Sequence, residues 1–133
     1  MSKSLIYTAL ETPTAVAAGG VVPLGNIVRR YGCNCNLNGS GITVNGQGYY
    51  KVDWSVQATP TAAGTVTVTL YKDGVPVPGS VASATTAAAG ATVTLAAPAA
   101  VRLGRCDSGS VLTLVLSGAA STVNSAAVLV EKS

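Results

Sequence analysis

Apolar and polar residues alternate along almost the whole chain, which is the period of a β-strand with one buried face. The pattern is clearest at four positions of one strand, where every second residue is apolar: Tyr50, Val52, Trp54 and Val56. Glycine, proline, asparagine and aspartate interrupt the alternation at short intervals, and helix signals are nearly absent. We therefore predict strands at residues 5–10, 21–30, 42–44, 48–58, 65–72, 75–78, 91–96, 110–117 and 123–131.

A hairpin is predicted near the middle of the chain, where Lys72, Asp73 and Gly74 form a turn and Gly74 supplies a positive φ. Pro76 and Pro78 cannot donate to a ladder, so the returning strand is expected at a sheet edge. Eight or nine short strands in 133 residues favour an all-β fold, a two-sheet antiparallel sandwich or jelly roll. Residues 1–133 are interpreted as a single domain.

The final predicted strand is apolar on both faces. Ala126, Val128 and Val130 form one face, and Ala127 and Leu129 form the other. An antiparallel strand with two apolar faces is typically covered on both, but a two-sheet sandwich offers a single core. Either a neighbouring subunit provides the second cover, or small residues such as alanine and valine are tolerated at the surface.

The composition favours cover of the final strand by a neighbouring subunit. Charged residues make up 10% of the chain, against about 25% in an ordinary domain. So little charge indicates an exterior that packs against copies of itself or another protein. The net charge is +3 without a long basic run, so no nucleic-acid partner is expected. No apolar run suits a bilayer and no secretory signal opens the chain, so no membrane partner is expected and synthesis is expected in a host cytoplasm.

Catalytic residues are not apparent. The chain has no histidine, the commonest general base and metal ligand. The five carboxylates are scattered, and no G-x-S-x-G sequence is present. We therefore predict that the protein is not an enzyme and needs no cofactor.

The three cysteines form the one unusual group. Cys33 and Cys35 lie in RRYGCNCN and Cys106 lies in RLGRCDSG, both interpreted as loops. Three interpretations stay open: reduced thiols without a function, a disulfide from Cys106 to Cys33 or Cys35, and a metal site built from all three. The asparagine-rich segments NCNLNGSG and VNGQG are interpreted as turns rather than calcium or sugar sites.

The sequence GITVNGQGYYKVDWSVQATPTAAGTVTVTLYKDGVPVPGS resembles the tumour-necrosis-factor-like, complement-type globular jelly roll, particularly its bacterial and phage versions. Collagen-like glycoproteins of the spore surface end in domains with a similar run. PLGNIVRRYGCNCNL is similar to sequences in phage structural proteins. The resemblance extends from Val21 to the C-terminus and consists of strands and turns rather than a catalytic signature.

The resemblance implies a ten-stranded jelly roll that forms a compact homotrimer, with the sheet of the N- and C-terminal strands facing the threefold axis. Two departures are the absence of a collagen repeat and of phenylalanine. Residues 1–20 are interpreted as an N-terminal strand and an arm for assembly. The residues expected at the trimer interface are Tyr49, Lys51, Asp53, Ser55, Gln57, Ala127 and Leu129.

These observations favour a non-enzymatic structural protein that decorates a phage virion as a head decoration, head fibre or tail-associated component. The expected partners are copies of the chain and other virion proteins, and the expected location is the virion. The alternative is a carbohydrate- or surface-binding module, adhesin-like or on a spore or cell surface, with a surface glycan as its ligand.

Overall fold

The alternating pattern produces strands throughout the computed structural model, which describes residues 4–32, 35–87, 90–103, 109–118 and 120–132. Within these ranges there are eleven strands and no helix. Their bounds are β1 Leu5–Leu10, β2 Thr14–Val16, β3 Asn26–Tyr31, β4 Cys35–Asn38, β5 Gly41–Val44, β6 Gly48–Pro60, β7 Gly64–Lys72, β8 Val75–Thr86, β9 Val93–Leu103, β10 Ser110–Gly118 and β11 Ser121–Lys132.

The strands form two antiparallel sheets that pack face to face. Sheet A has the order β3-β1-β11-β6-β9, with β2 also paired to β11, and sheet B has the order β4-β5-β10-β7-β8. The chain passes repeatedly from one sheet to the other, so most neighbours within a sheet are distant in sequence. The predicted all-β, two-sheet jelly roll is confirmed.

The core lies between the sheets and consists of aliphatic side chains at alternate positions. In β6, Tyr50, Val52, Trp54 and Val56 are at most 3% exposed. The predicted inward faces of β7, β10 and β11 are buried as well: Val66, Val68, Leu70, Leu112, Leu114, Leu116, Ala126, Val128 and Val130. A two-residue side-chain period therefore predicts the core of this protein well.

The strand predicted at residues 21–30 is wrong in its first half. Gly19 and Val22 donate backbone hydrogen bonds to Leu116 and Leu114 of β10, at 2.7 and 2.8 Å, so this segment lies along sheet B. The chain then crosses to sheet A, where β3 begins at Asn26 and pairs with β1. Gly25, with a φ of 75°, makes the crossing beside Ala9, whose carbonyl a side chain at residue 25 would strike.

Two short edge strands were not predicted, and one of them corrects the interpretation of Cys35. The asparagine-rich segment expected to be a loop contains β4, which begins at Cys35 and pairs with β5. The three-residue strand β2 was also missed. In contrast, the hairpin is confirmed: Gly74 has a φ of 81°, and β8, which carries Pro76, lies at the edge of sheet B.

Polar contacts between the sheets hold the sandwich together. The Trp54 indole N–H donates a buried hydrogen bond of 2.8 Å to the Ser80 hydroxyl on β8. At one margin, Arg30 Nε donates to the Cys35 carbonyl at 2.9 Å and links β3 to β4. The two sheets are therefore fixed relative to each other by specific bonds as well as by the apolar core.

Candidate subunit interface

The outward side chains of sheet A, which we call face A, are arranged in rows across neighbouring strands. Backbone pairing places Tyr7 of β1 opposite Leu129 of β11, Leu129 opposite Asp53 of β6, and Asp53 opposite Pro98 of β9. The next row contains Ala9, Ala127, Ser55 and Ala96. Because outward residues of paired strands are about 5 Å apart, these two rows form one continuous surface across four strands.

The centre of face A is apolar and slightly concave. A depression of about 250 Å³ is lined by Tyr7, Asp53, Trp54, Ser55, Ala127 and Leu129. Tyr7 is 37% exposed, while Ala127 and Leu129 are half-buried in the single chain. Their remaining apolar surface faces outward, so the covered second face predicted for β11 requires a contact from outside this chain.

Polar and charged groups surround this apolar centre. Lys51 pairs with Glu131 in the next row, and Gln57 lies on the other side. Tyr49, 61% exposed, is opposite Arg102, whose guanidinium carbon is 6.0 Å from the tyrosine ring centroid. An apolar centre with a polar margin is the usual anatomy of a protein–protein interface.

The structure brings the seven predicted interface residues onto this one face, and their role in a trimer stays a prediction. Sequence reasoning did not include the adjoining edge strand β3, where all six residues are exposed. Ile27, Val28 and Tyr31 are 40%, 55% and 68% exposed. The prediction of one strand at residues 21–30 concealed this apolar edge, because it implied an ordinary half-buried strand.

The outward side chains of sheet B, which we call face B, are different. Among the described residues they include no charged group and are mainly hydroxyl-bearing: Thr43, Thr65, Thr67, Thr69, Tyr71, Val81, Ser83, Thr85, Val111, Thr113, Val115 and Ser117. Thr65 and Thr85 are joined by a 3.1 Å hydroxyl hydrogen bond, and Thr67 and Ser83 by one of 3.0 Å.

The family model for the BclA C-terminal domain matches residues 6–131. The chain belongs to the BclA C-terminal domain family. The match includes β2 to β10 completely and all but one terminal residue of β1 and of β11, so it concerns the whole sandwich. No curated protein matches the chain in sequence.

Solved structures share the fold of this BclA C-terminal domain at low sequence identity. Murine APRIL at pH 5.0 matches with a TM-score of 0.76 and 13% identity, with 99% of this chain and 100% of that chain covered. The globular domain of zebrafish complement 1qA protein matches at 0.70 and 9%, with 96% and 94% covered. The PRD1 vertex protein P5 matches at 0.57 and 17%, with 97% and 95% covered. The predicted resemblance to the tumour-necrosis-factor-like jelly roll is confirmed.

Cys35 of this BclA C-terminal domain is a free thiol that is 1% exposed. Burial raises the pKa of the Cys35 thiol to about 11, although the nearby charges of Arg30 and Lys132 oppose that increase. Such a thiol remains protonated and poorly reactive at neutral pH. Cys35 forms no disulfide in this structure. Cys33 and Cys106 lie outside the described residues, so a disulfide between these two and the three-cysteine metal site stay predictions.

The described residues of the domain contain no group of three histidine, cysteine or carboxylate side chains able to hold a metal ion. Asp73 is explained by its turn: its carboxylate accepts a 2.9 Å hydrogen bond from the Val111 N–H, and this bond is the main reason that the Asp73 pKa is lowered. No helix in the described part of the chain could cross a bilayer.

Proposed function

We propose that the chain is a non-enzymatic structural protein that assembles through face A into a homotrimer and decorates the surface of a phage virion. The observation that carries the proposal is the pair of apolar rows across four strands, centred on Leu129 and Ala127. This surface is too ordered and too continuous to be a set of isolated apolar residues.

The physical basis of assembly is the burial of Tyr7, Leu129, Pro98 and the alanines between them. Apolar surface removed from water contributes about 25 cal/mol per Å², and stable obligate interfaces bury about 2,000–5,000 Å². Few charges must be desolvated at the centre, where Asp53 is the charged residue of the row. A threefold arrangement is supported by the tumour-necrosis-factor-like resemblance.

Attachment to a virion is supported by the resemblance to phage structural proteins and by a fold shared with a phage vertex protein. A second location, the spore or cell surface, is favoured by membership of the BclA C-terminal domain family. Both locations require the same molecular property, which is a rigid, self-associating domain with little charge.

The oligomer is tested by size-exclusion chromatography with light scattering. A trimer of the 13.1 kDa chain has a mass of about 39 kDa, since 3 × 13.1 = 39.3. A monomer of 13.1 kDa at micromolar concentration would contradict the proposed interface.

The location is tested by immunogold labelling of purified virions and spores with antibodies against the folded domain. Regular labelling of virions supports the first location. Labelling restricted to spores would replace it with the second, and labelling of neither particle would contradict both.

A further inference from the structure

The positive charges of the sandwich are concentrated toward one end. We call this the near end, where β11 finishes and β6 begins. In the described residues, the near half has three carboxylates, Asp53, Asp73 and Glu131, and six cations: Arg29, Arg30, Lys51, Lys72, Arg102 and Lys132. The one charged side chain described in the far half is Glu11. A net positive field at one end attracts anionic ligands.

A groove of about 530 Å³ lies at the near end, between the β7–β8 hairpin and the end of β9. Its walls are mainly apolar, formed by Val75, Pro76, Val77, Pro78 and the final residues of β9. Lys72, Asp73 and Arg102 also line it. Apolar walls with a few polar groups are the usual composition of a ligand site.

The two cations of the groove are positioned by contacts within the subunit. Lys72 Nζ donates a 2.9 Å hydrogen bond to the Arg102 carbonyl, which joins the hairpin to β9. The Arg102 guanidinium lies over the exposed Tyr49 ring. The charge of Lys72 also acts on the neighbouring Asp73 carboxylate, whose pKa it helps to lower. Lys72 still has N–H groups for a ligand, because an ammonium group has three and the bond to the Arg102 carbonyl uses one.

Asp73, the carboxylate in the groove, is already engaged. It accepts hydrogen bonds from the Val111 N–H and the Ser110 hydroxyl, and these bonds help to lower its pKa. Its role is therefore to hold the hairpin against β10. Its negative charge only partly offsets the two cations, because two positive groups and one negative group leave the groove net positive.

We propose that this groove binds a glycan that carries a carboxylate or a phosphate group. Lys72 and Arg102 donate charge-assisted hydrogen bonds to the anion, while the C–H face of the sugar ring packs against Val75 and Pro76. The residues that line the groove all belong to one subunit, and Arg102 also lies at the polar margin of face A beside Tyr49.

The test is isothermal titration calorimetry with four polymers at two salt concentrations. Polygalacturonate supplies carboxylates, poly(glycerol phosphate) supplies phosphates, dextran is a neutral glycan and poly(dT) is an anionic nucleic acid. We expect binding of at least one anionic glycan polymer, weakened by salt, and none of dextran. The two glycan arms distinguish carboxylate from phosphate recognition.

The key variant is K72Q/R102Q, which should raise the dissociation constant by about tenfold or more, because two charge-assisted hydrogen bonds are lost. The matched control is A62E/A63E, which changes the net charge by the same two units at exposed positions of the far end. We expect the control to bind within about twofold of the wild type, because the added charges are distant and screened.

A second variant, V75E, introduces a carboxylate at a position that is 64% exposed and should abolish binding without disturbing the core. The proposal is overturned by no binding to either anionic glycan polymer, by equal loss in the far-end control, or by poly(dT) binding as tight as glycan binding. Light scattering on every variant separates these outcomes from a failure of the trimer.

Discussion

Faces A and B belong to the same sandwich, but their outward side chains differ in chemistry and in the contacts that they form within the chain. Face A presents Leu129, Ala127 and Pro98 in rows that have no partner within the chain. Face B presents threonine and serine, and its hydroxyls bond to one another, as in Thr67 with Ser83. One face leaves apolar side chains on its outward side, and the other is covered mainly by hydroxyl groups.

The comparison shows that a small number of charged residues has a different physical consequence on each face. At the centre of face A, where Asp53 is the charged residue, the small number of charges reduces the desolvation that association would require. On face B, hydroxyl groups replace charges as the polar coat of the strands, since threonine suits an extended backbone. A composition of 10% charged residues therefore does not identify an interface until the faces are separated.

The largest expected effect comes from placing a charge at the centre of face A. Leu129→Glu would bury a carboxylate beside Asp53, and should raise the dissociation constant more than a hundredfold, which corresponds to about 3 kcal/mol. Size-exclusion chromatography with light scattering should then give a folded monomer, with strand content verified by circular dichroism.

The matched control is Val81→Glu on face B, where the side chain is 48% exposed. Its mass should remain that of the wild-type protein, which is a trimer in our proposal. Dissociation by the face B variant, with the face A variant unaffected, would reverse the assignment of the two faces.

The next effect concerns Cys35 of the edge strand β4, whose carbonyl accepts the hydrogen bond from Arg30 that links the two sheets. The Cys35 thiol has a pKa raised from 9.0 to about 11 in the folded chain, so its contribution to stability is complete below pH 9 and is lost as the pH rises through 11. Two units correspond to up to about 2.7 kcal/mol. Urea denaturation of wild type and Cys35→Ala between pH 8 and pH 11, under reducing conditions, should show the steeper decline in the wild type.

If the free energy of unfolding declined equally with pH in the two proteins, ionisation of the Cys35 thiol would not contribute to the loss of stability, which would contradict this prediction. All other groups are the same in both proteins, so the difference between the two curves is the relevant quantity.

A smaller effect is expected from the buried hydrogen bond between Trp54 and Ser80, which lies between the two sheets. Ser80→Ala leaves the buried Trp54 N–H without its partner and should lower the free energy of unfolding by about 1–3 kcal/mol. Trp54 is the single tryptophan of the chain, so its fluorescence reports the transition. Thr85→Ala on face B is the control for an exposed hydroxyl pair, and an equal loss in both variants would contradict the inferred importance of burial.

The smallest effect is expected on face B itself. Thr67→Val removes one partner of the Thr67–Ser83 pair but keeps a β-branched side chain, so the change in the free energy of unfolding should stay within about 0.5 kcal/mol. Denaturation and light scattering should resemble the wild type. A change in the mass of the assembly would show that the hydroxyl pairs take part in it.

Sequence reasoning succeeded where each residue had two clear alternatives, inward or outward. The alternation around Trp54 predicted the buried side of β6, and the alternation in β11 placed Ala127 and Leu129 on the opposite side from the buried Ala126, Val128 and Val130. Local turn chemistry was equally informative at Gly74, because a positive φ is a property of the residue itself.

Prediction was weaker where pairing partners decided the structure. Cys35 lies among asparagines and glycine and was interpreted as part of a loop, yet β5 provides the edge on which it forms β4. The groove at the near end was also missed, because Lys72 and Arg102 are thirty residues apart and meet only when the two sheets close.

The sequence by itself determined which side chains share a face, because the two-residue period of an extended strand is a local property of the backbone. Tertiary structure alone decided which strands became neighbours. It divided residues 19–31 between two sheets, aligned Tyr7, Leu129 and Asp53 in one row, and left the edge strand β3 exposed. The physical reason is that strand pairing joins residues far apart in the chain, and the order of strands in each sheet decides which side chains meet.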